Sequence, residues 1–273
     1  MMKTLILFAL VCLALAYALP GRELPSFDFD PFVIGGSEAT PNEFPSQLSL
    51  QYLNATGAWR HTCGASLLSP KYALTAAHCV DGRTNLKFRV VAGLHKLSLS
   101  AQGTIAAIKT FKIHEKYKQG NGTYPNDIAI LTFATEIKMT DKIKAAVLPA
   151  DSINKFVNES CIISGWGRTD KTDNLPDALQ KGTLTVLSNA ECQSKVGEAS
   201  IANGHLCVYD RSKKTSACNG DSGGPTTCKA AGKDTVVGVA SWVIALLGNC
   251  KPGFPSAYTR VSEYLDWIKI NTP

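Results

Sequence analysis

The stretch "ACNGDSGGP", residues 217–225, places three glycines around one serine, Ser222. Glycine permits positive φ angles and close approach of neighbouring backbone. The main-chain N–H groups of Gly220 and Ser222 can therefore point at one position, where the oxyanion of a reaction intermediate would be held. A tight turn is the simpler interpretation, and for Ser-Gly-Gly alone it is preferred. The stretch becomes a catalytic hypothesis only if a base and an acid accompany Ser222.

The base is sought among five histidines. A serine hydroxyl is a weak nucleophile until a base takes its proton. His78 is the best candidate because it lies in "LTAAHC" (74–79), where small residues precede it and a cysteine follows that would hold the loop. His61 lies in a segment that we interpret as a polar turn. The other three lack the setting of His78, and we assign them with His61 to ordinary surface or core positions: His95, His114 and His205.

Asp127 is the candidate for the acid that orients the imidazole. Such an acid should be buried beside the ring. Asp127 is the acid that directly opens an apolar strand, in "NDIAIL" (126–131). An aspartate at the start of a strand is often only a turn residue. Considered alone, Asp127 fits the two interpretations about equally well.

Strand-like runs with polar or glycine-containing breaks recur along the chain and predict an all-β protein. Helical spacing is convincing only over Val261, Tyr264, Leu265 and Ile268, which predicts one C-terminal helix. The polar segment 145–160 is the best candidate connector between two β units, and one large β-sandwich is the simpler alternative. The runs are "QLSLQYL" (47–53), "LKFRVVAGL" (86–94), "IAAIKTFKIH" (105–114), "DIAILTFA" (127–134), "CIISGWG" (161–167), "KGTLTVLS" (181–188), "HLCVY" (205–209) and "TVVGVASWV" (235–243).

The N-terminus has the pattern of a secretory signal over residues 1–18, with Lys3, an apolar run and a small-x-small ending at Ala18. We therefore expect a secreted, extracellular protein, in which the eight cysteines after Cys12 form disulfides. The apolar run is too short to span a bilayer, so no membrane partner is expected. Three sequons are candidate glycosylation sites: Asn54, Asn121 and Asn158.

Composition excludes several classes of protein. The chain is 45% hydrophobic and 18% charged, without a low-complexity tract, as in soluble globular proteins. Its net charge of +6 comes from scattered basic residues, the longest cluster being "RSKK" (211–214). Nucleic-acid binders concentrate such charge on one face or helix. No nucleic-acid partner is predicted.

Five motifs occur in a fixed order: "TAAHC" (75–79), "NDIAIL" (126–131), "GWG" (165–167), "GDSGGP" (220–225) and "SW" (241–242). By these motifs the chain resembles the chymotrypsin family of serine proteases from Val33 to Ile270. Its segments 161–184 and 241–250 are similar to those of earthworm fibrinolytic proteases and invertebrate elastase- or chymotrypsin-like digestive enzymes. The resemblance implies two six-stranded antiparallel β-barrels, a C-terminal α-helix and a catalytic cleft between the barrels.

The resemblance also implies a role for each motif residue. Ser222 is the nucleophile, His78 the general base and then acid, and Asp127 the orienting carboxylate. Gly220 and Ser222 supply the oxyanion hole. Spacing alone leaves the disulfide pairing open, and the resemblance implies Cys63 with Cys79, Cys161 with Cys228, Cys192 with Cys207, and Cys218 with Cys250.

Activation by cleavage is a further expectation from the resemblance. A new N-terminal amine, here that of Val33, pairs in this family with the aspartate before the nucleophile, here Asp221. Residues 19–32 are then an activation peptide and 33–273 the peptidase domain, with 33–148 mainly the N-terminal barrel and 149–273 the C-terminal barrel and terminal helix. Phe32 stands where the family usually has arginine or lysine. We therefore expect a chymotrypsin-like activator, this protein itself included.

The resemblance places the pocket for the residue before the cut at Ser216, its floor, and at Val243 and Ser256, its walls. A floor without aspartate leaves arginine or lysine without a counterion, which disfavours trypsin-type activity. Val243 favours small aliphatic residues and the small Ser256 favours aromatic ones, so elastase-like and chymotrypsin-like preferences both stay open. Ser241, Trp242 and Val243 should offer a strand edge to an extended substrate.

The expected protein is a monomeric digestive endopeptidase that acts on proteins or peptides and meets protein protease inhibitors. No cofactor or metal is expected, since Gly93–Lys109, the loop that binds calcium in some family members, contains no Asp or Glu. The main alternative is a catalytically inactive homologue that acts as a binding protein. A clotting or immune processing protease is a weaker alternative, because residues 19–32 contain no regulatory module or cysteine.

Overall fold

The computed structural model describes residues 33–118, 123–169, 174–197, 199–246 and 249–273. The predicted signal and activation peptides, residues 1–32, lie outside the described residues, as does the sequon residue Asn121. Among the described residues, no helix is both long and apolar enough to cross a membrane.

Six antiparallel strands close into a first barrel, in the order β2-β3-β4-β7-β6-β5. They follow a short strand β1 (Ser37–Glu38). Leucine, isoleucine, valine and alanine side chains from all six strands fill the interior. The strands are β2 (Gln47–Leu53), β3 (Trp59–Leu67), β4 (Tyr72–Thr75), β5 (Phe88–Ala92), β6 (Thr104–Ile113) and β7 (Ala129–Phe133).

Six further antiparallel strands close into a second barrel, because β8 pairs with β9 as well as with β11. Strand β1 adds to the outer end of β9, and a small hairpin precedes the last strand. The strands are β8 (Ser160–Gly165), β9 (Gln180–Leu187), β10 (His205–Tyr209), β11 (Pro225–Ala230), β12 (Lys233–Val243), the hairpin β13 (Ala245–Leu246) and β14 (Asn249–Cys250), and β15 (Ser256–Arg260). The prediction of two six-stranded barrels is confirmed, and the single sandwich is wrong.

Two α-helices are described. Helix α2 (Leu265–Asn271) follows a 3-10 turn at Val261–Glu263 and confirms the predicted C-terminal helix. Helix α1 (Asn189–Val196) was not predicted, because Cys192 is its one buried residue and no apolar stripe marks it. It is fixed at its start by the Ser188 hydroxyl, which accepts from the Glu191 N–H, and by the disulfide of Cys192 with Cys207.

The connector 145–160 contacts both barrels. The Ala146 N–H donates to the Leu67 carbonyl of the first barrel, and the Val147 carbonyl accepts from Val236 of the second. All four predicted disulfides are present, and each lies within one half of the molecule: Cys63–Cys79, Cys161–Cys228, Cys192–Cys207 and Cys218–Cys250. The barrels are therefore held together by packing and by the chain itself.

Candidate active site

His78 and Asp127 come from neighbouring strands of the first barrel. Strand β4 ends at Thr75 and leads into the 3-10 turn Ala77–Cys79, which carries His78. Asp127 lies just before β7, and Thr75 pairs with Ala129 at the start of that strand. The antiparallel register therefore brings both side chains to the same end of the barrel, and the Cys63–Cys79 disulfide ties the histidine turn to β3.

Asp127 is fully buried, at 0% exposure, and each carboxylate oxygen accepts a hydrogen bond from His78. Oδ1 accepts from the His78 backbone N–H at 2.9 Å, and Oδ2 lies 2.7 Å from the ring Nδ1. A carboxylate only accepts, so Nδ1 carries the proton. Nε2 is then the basic nitrogen that can accept a proton from a serine hydroxyl.

The second barrel completes the surroundings of Asp127. The Ser241 hydroxyl donates to Oδ2 at 2.6 Å, and the Thr259 hydroxyl donates to the Asp127 backbone carbonyl at 2.7 Å. Three donors thus satisfy a carboxylate that has no access to water, as a buried charge requires. The sequence predicts Ser241 as a substrate-binding residue, and its bond to Asp127 is an additional contact that no local pattern indicates.

Ser222 is fixed against the first barrel by the backbone around it. Its carbonyl accepts from the Gly64 N–H of β3 at 2.7 Å. Gly223 has a φ of +75°, and a Cβ added there would lie 2.2 Å from the Thr75 Oγ1 atom. Only glycine fits this close approach to β4. Ser222 and His78 line one cavity of about 410 Å³.

The backbone at Gly220 is held from two sides. The Asn219 carbonyl accepts from the Arg168 N–H at 2.8 Å, and the Gly220 carbonyl accepts from the His61 Nε2 atom at 3.0 Å. The carbonyl and N–H of one trans peptide point in opposite directions. The first bond therefore turns the Gly220 N–H away from Arg168, and the φ of +101° explains the glycine.

His61 is a supporting residue whose surroundings the sequence did not reveal. It lies in β3, so its assignment to a turn was wrong. Its ring packs against Trp166 with 5.6 Å between centroids, and Nδ1 lies 2.8 Å from the Ser49 hydroxyl. Burial of the ring lowers the pKa of His61 to about 4. A neutral imidazole therefore donates from Nε2 to the Gly220 carbonyl at neutral pH.

His205 supports the segment before Asp127. Its Nδ1 accepts from the Ala202 N–H at 3.0 Å, so Nε2 carries the proton and donates to the Thr123 carbonyl at 2.7 Å. Burial lowers the pKa of His205, which keeps this tautomer neutral. Tyr124, the next residue, lies beside His78 with 6.2 Å between ring centroids. The contact spans 82 residues of sequence, and no local pattern could have indicated it.

Asp221 is the second buried aspartate near the cavity, at 4% exposure. Its two carboxylate oxygens accept from the Gly167 N–H at 2.8 Å and the Cys218 N–H at 3.0 Å. No basic side chain pairs with it in the part of the chain that the structure describes. Burial raises the pKa of this carboxyl to about 6, although both backbone bonds act in the opposite direction.

The segment that begins at Val33 lies against the loop before Asp221. Val33 is fully buried in the core of the second barrel. The Ile34 carbonyl accepts from the Ser216 N–H at 3.1 Å, and the Gly35 carbonyl accepts from the Thr215 hydroxyl at 3.1 Å. The predicted start of the mature chain thus lies close to the loop that carries Ser216 and Asp221.

The cavity includes three of the five predicted substrate-binding residues: Ser241, Trp242 and Val243. Ser216 and Ser256 do not line it. The Ser256 hydroxyl accepts from the Ala217 N–H at 3.2 Å, and the Ser216 hydroxyl is buried without a hydrogen-bond partner among the described residues. Val243 pairs with Ser256 across β12 and β15. Ala217, Ala240 and Ala257 line the cavity instead, and the predicted floor stays a prediction.

One group of metal-type ligands occurs among the described residues, formed by Cys63, His78 and Cys79. The two cysteines share a disulfide, so neither provides the thiolate that a metal would bind. The His78 ring is meanwhile held by Asp127. This group is therefore explained by the disulfide and the His78–Asp127 pair.

Known proteins resemble the chain over nearly all of the described range. Residues 33–268 match the family described as Trypsin. The chain is 50% identical over 244 residues to the fibrinolytic enzyme, isozyme C, of Lumbricus rubellus, covering 88% of this chain and 100% of that protein. It is 38% identical over 270 residues to chymotrypsin-like elastase family member 1 of Felis catus, covering 98% and 97%, and 39% identical over 238 residues to the Canis lupus familiaris protein of the same name, covering 86% and 90%.

Proposed function

Because the chain belongs to the trypsin family and is a serine endopeptidase, we propose that it cleaves peptide bonds through an acyl-enzyme on Ser222. His78 Nε2 takes the Ser222 proton while the serine oxygen attacks the substrate carbonyl. The backbone N–H groups of Gly220 and Ser222 stabilise the oxyanion. His78 then gives the proton to the leaving amine, and water releases the acyl group by the same steps.

The observation that carries this proposal is the 2.7 Å pair of His78 Nδ1 and Asp127 in the cavity that Ser222 also lines. That pair sets the tautomer in which Nε2 accepts the serine proton. The inactive homologue is disfavoured because none of the three residues is replaced.

The proposed preference before the cut is for small aliphatic residues, as in elastases. Val243 lines the cavity with an isopropyl group, which we expect to favour small aliphatic residues over aromatic rings. The acid that reaches the cavity, Asp221, has its carboxylate bound to two backbone N–H groups. A substrate arginine or lysine would be desolvated without a partner. The two mammalian relatives are named as elastases.

The protein is proposed to be made as an inactive precursor and secreted. Cleavage after Phe32 frees the Val33 amine, which pairs with Asp221 and fixes the loop of Gly220. Support comes from the buried Val33 segment beside that loop and from an Asp221 that lacks a cationic partner among the described residues. The signal pattern at residues 1–18 supports secretion, and the proposal includes a monomeric digestive role against food proteins, subject to protein inhibitors.

The chemistry is tested on a purified chain that begins at Val33. We expect hydrolysis of peptide anilides and covalent labelling by a fluorophosphonate, both lost in Ser222→Ala and His78→Ala. Ser212→Ala, at an exposed serine outside the cavity, is the matched control and should be labelled like the parent. A parent chain that is folded yet neither labelled nor active would overturn the proposal and favour the inactive homologue.

The pocket is tested with peptides that differ only in the residue before the cut. We expect Ala, Val and Leu to exceed Phe, and Arg to be the poorest. Val243→Gly should raise the rate with Phe most, because it removes the isopropyl group from the cavity. A parent that prefers Phe would make the preference chymotrypsin-like, and one that prefers Arg would contradict the neutral pocket.

A further inference from the structure

Arg83 is a residue of the catalytic cavity with no role in the reaction described above. It lines the same cavity as His78 and Ser222 and is half-buried. It follows the 3-10 turn of His78 on the first barrel, on the side of the cavity that faces β3. The strand edge Ser241–Val243, by contrast, belongs to the second barrel.

The guanidinium of Arg83 is oriented but not neutralised. Its Nη1 donates to the Thr62 hydroxyl at 3.1 Å and approaches the Cys79 carbonyl at 3.5 Å. Both partners are neutral, and no carboxylate within the described ranges pairs with Arg83, including Asp81 two residues before it. Arginine has five N–H donors, so Nε and Nη2 remain for another acceptor.

Other arginines of the molecule are satisfied in different ways. Arg211 pairs with the Glu191 carboxylate. Arg260 is buried, and its guanidinium donates to the carbonyls of Asn203, His205 and Lys155 and to Asn189 Oδ1. Among the described residues, Arg83 has neither a carboxylate nor a full set of carbonyls as partners. Because its position is fixed by Thr62, it is prepared to receive a carboxylate from outside the chain.

The charge of the cavity points to the same ligand. Besides His78, the described lining residues include one basic and one acidic side chain, Arg83 and Asp221. Asp221 is buried and bound to two backbone N–H groups. Among the described lining residues, the charge that is left for a substrate to meet is therefore the positive charge of Arg83.

We propose that Arg83 is a carboxylate-binding subsite that selects acidic groups on the leaving side of the scissile bond. This inference rests on the proposed acyl-enzyme mechanism. In that mechanism the acyl part of the substrate adds to the edge of β12, and His78 delivers its proton to the leaving amine. Arg83 lines this cavity from the first barrel, five residues after His78, whereas the acyl part would lie on β12 of the second, so the proposal assigns the leaving part of the chain to the side of Arg83. The carboxylate is an Asp or Glu side chain, or the free C-terminus of a short peptide.

The test measures leaving-side binding by acyl transfer. A peptide ester without leaving-side residues acylates the enzyme that begins at Val33, and added amines then compete with water for the acyl group. The amines are Ala-Glu-amide, Ala-Gln-amide and Ala-Lys-amide, with Ala-Gln bearing a free carboxylate as the fourth. Each partition ratio is taken within one variant, so changes in overall activity cancel.

In the parent we expect Ala-Glu-amide to be transferred about five- to tenfold better than Ala-Gln-amide, as one partly exposed charge-assisted hydrogen bond would give. Ala-Lys-amide should be poorest. Arg83→Gln should bring the Glu to Gln ratio to about one, and Arg83→Lys should retain part of it. Arg60→Gln, at an exposed arginine of β3 that does not line the cavity, should keep the parent ratio.

The two carboxylate sources are separated by comparing the Glu amide with Ala-Gln bearing a free terminus, and preference for either supports the subsite. Equal transfer of all four amines by the parent would overturn the inference, as would a ratio that Arg83→Gln leaves intact. The parent order of Glu, Gln and Lys needs no variant, so the test survives a misfolded substitution. If the parent does not hydrolyse the ester at all, it is the acyl-enzyme mechanism that fails.

Discussion

Asp127 and Asp221 are two buried aspartates beside one cavity, and they are satisfied in opposite ways. Asp127 receives the His78 ring, the His78 N–H and the Ser241 hydroxyl. Asp221 receives two backbone N–H groups and no cation within the described residues. Burial raises the pKa of Asp221 to about 6. Burying a carboxylate costs free energy unless it is paired. Within the described residues, Asp127 has its full set of partners, whereas Asp221 has no cation.

This difference separates the parts that folding alone supplies from the part that cleavage is proposed to supply. The surroundings of Asp127 need only the two barrels. Those of Asp221 include no positive charge within the described residues, and the Val33 segment lies nearby with its nitrogen still in a peptide bond.

Asp127→Asn should lower kcat of the chain that begins at Val33 by about 10⁴-fold, the size found for the equivalent change in a related protease. The amide would donate to His78 Nδ1 and force the other tautomer, in which Nε2 cannot accept the serine proton. Steady-state kinetics on a peptide anilide measure the effect. Asp151→Asn, at an exposed aspartate, is the control. A loss below tenfold would mean that Asp127 does not set the tautomer.

Asp221→Asn should lower kcat/KM of the same chain by about 10²- to 10³-fold, since breaking a buried ion pair costs roughly 3 to 5 kcal/mol. The loop that carries Gly220 would lose its anchor, whereas the His78–Asp127 pair would stay intact. The assay is as above, with Asp234→Asn as a control at an exposed aspartate that pairs with Lys229. Full activity of Asp221→Asn would remove the proposed role of the Val33 amine.

In the uncut chain, Asp221 should lower the stability of the folded state, whereas in the chain that begins at Val33 its ion pair should be stabilising. Because the folded-state pKa of about 6 lies above the ordinary value of 3.8, the folded state holds the proton more tightly, and stability falls as pH rises from about 4 to about 6. Asp221→Asn should remove a decrease on the order of 2 to 3 kcal/mol in the free energy of unfolding.

Denaturant unfolding at several pH values measures this decrease, with Ser222→Ala in both chains to prevent self-cleavage. In the chain that begins at Val33, the new amine should abolish or reverse the difference in pH dependence between the parent and Asp221→Asn. Parallel curves for the two uncut chains would show that Asp221 is already neutralised.

Ser241→Ala should have the smallest effect, a loss of about five- to tenfold in kcat, because one hydrogen bond to a charged group is removed while His78 stays in place. Kinetics on peptides with and without residues that reach β12 separate this effect from weaker substrate binding, which would raise KM instead. Ser37→Ala, at an exposed serine, is the control. An unchanged kcat would mean that the two His78 bonds alone hold Asp127.

The features that the sequence predicted correctly depend on residues that lie close together in the chain. "GDSGGP" encodes a turn whose glycines are needed within a few residues of Ser222, and apolar runs such as 47–53 coincide with a strand. Strand β3 escaped prediction because its first half is polar, and it carries His61. Helix α1 escaped because a cap and a disulfide fix it rather than an apolar stripe.

The parts that sequence could not predict depend on contacts between distant residues. His61 and Gly220 are separated by 159 residues, and His205 and Thr123 by 82. Neither pair leaves a local pattern. The pocket is similar, because an offset from Ser222 names Ser216, whereas the residues that line the cavity come from several separate segments, among them Val243 of β12.

The placement of the disulfides determines what proteolysis would do to the covalent structure of this protein. No described disulfide crosses from one barrel to the other, and the connector exposes Ile153 almost fully, at 83%. A single nick there would yield two fragments that no described disulfide joins, because all four lie on one side of the cut or the other. Val33 and β1 belong to the N-terminal fragment but pack in the second barrel. After self-digestion they would therefore help to hold the two fragments together without a covalent bond.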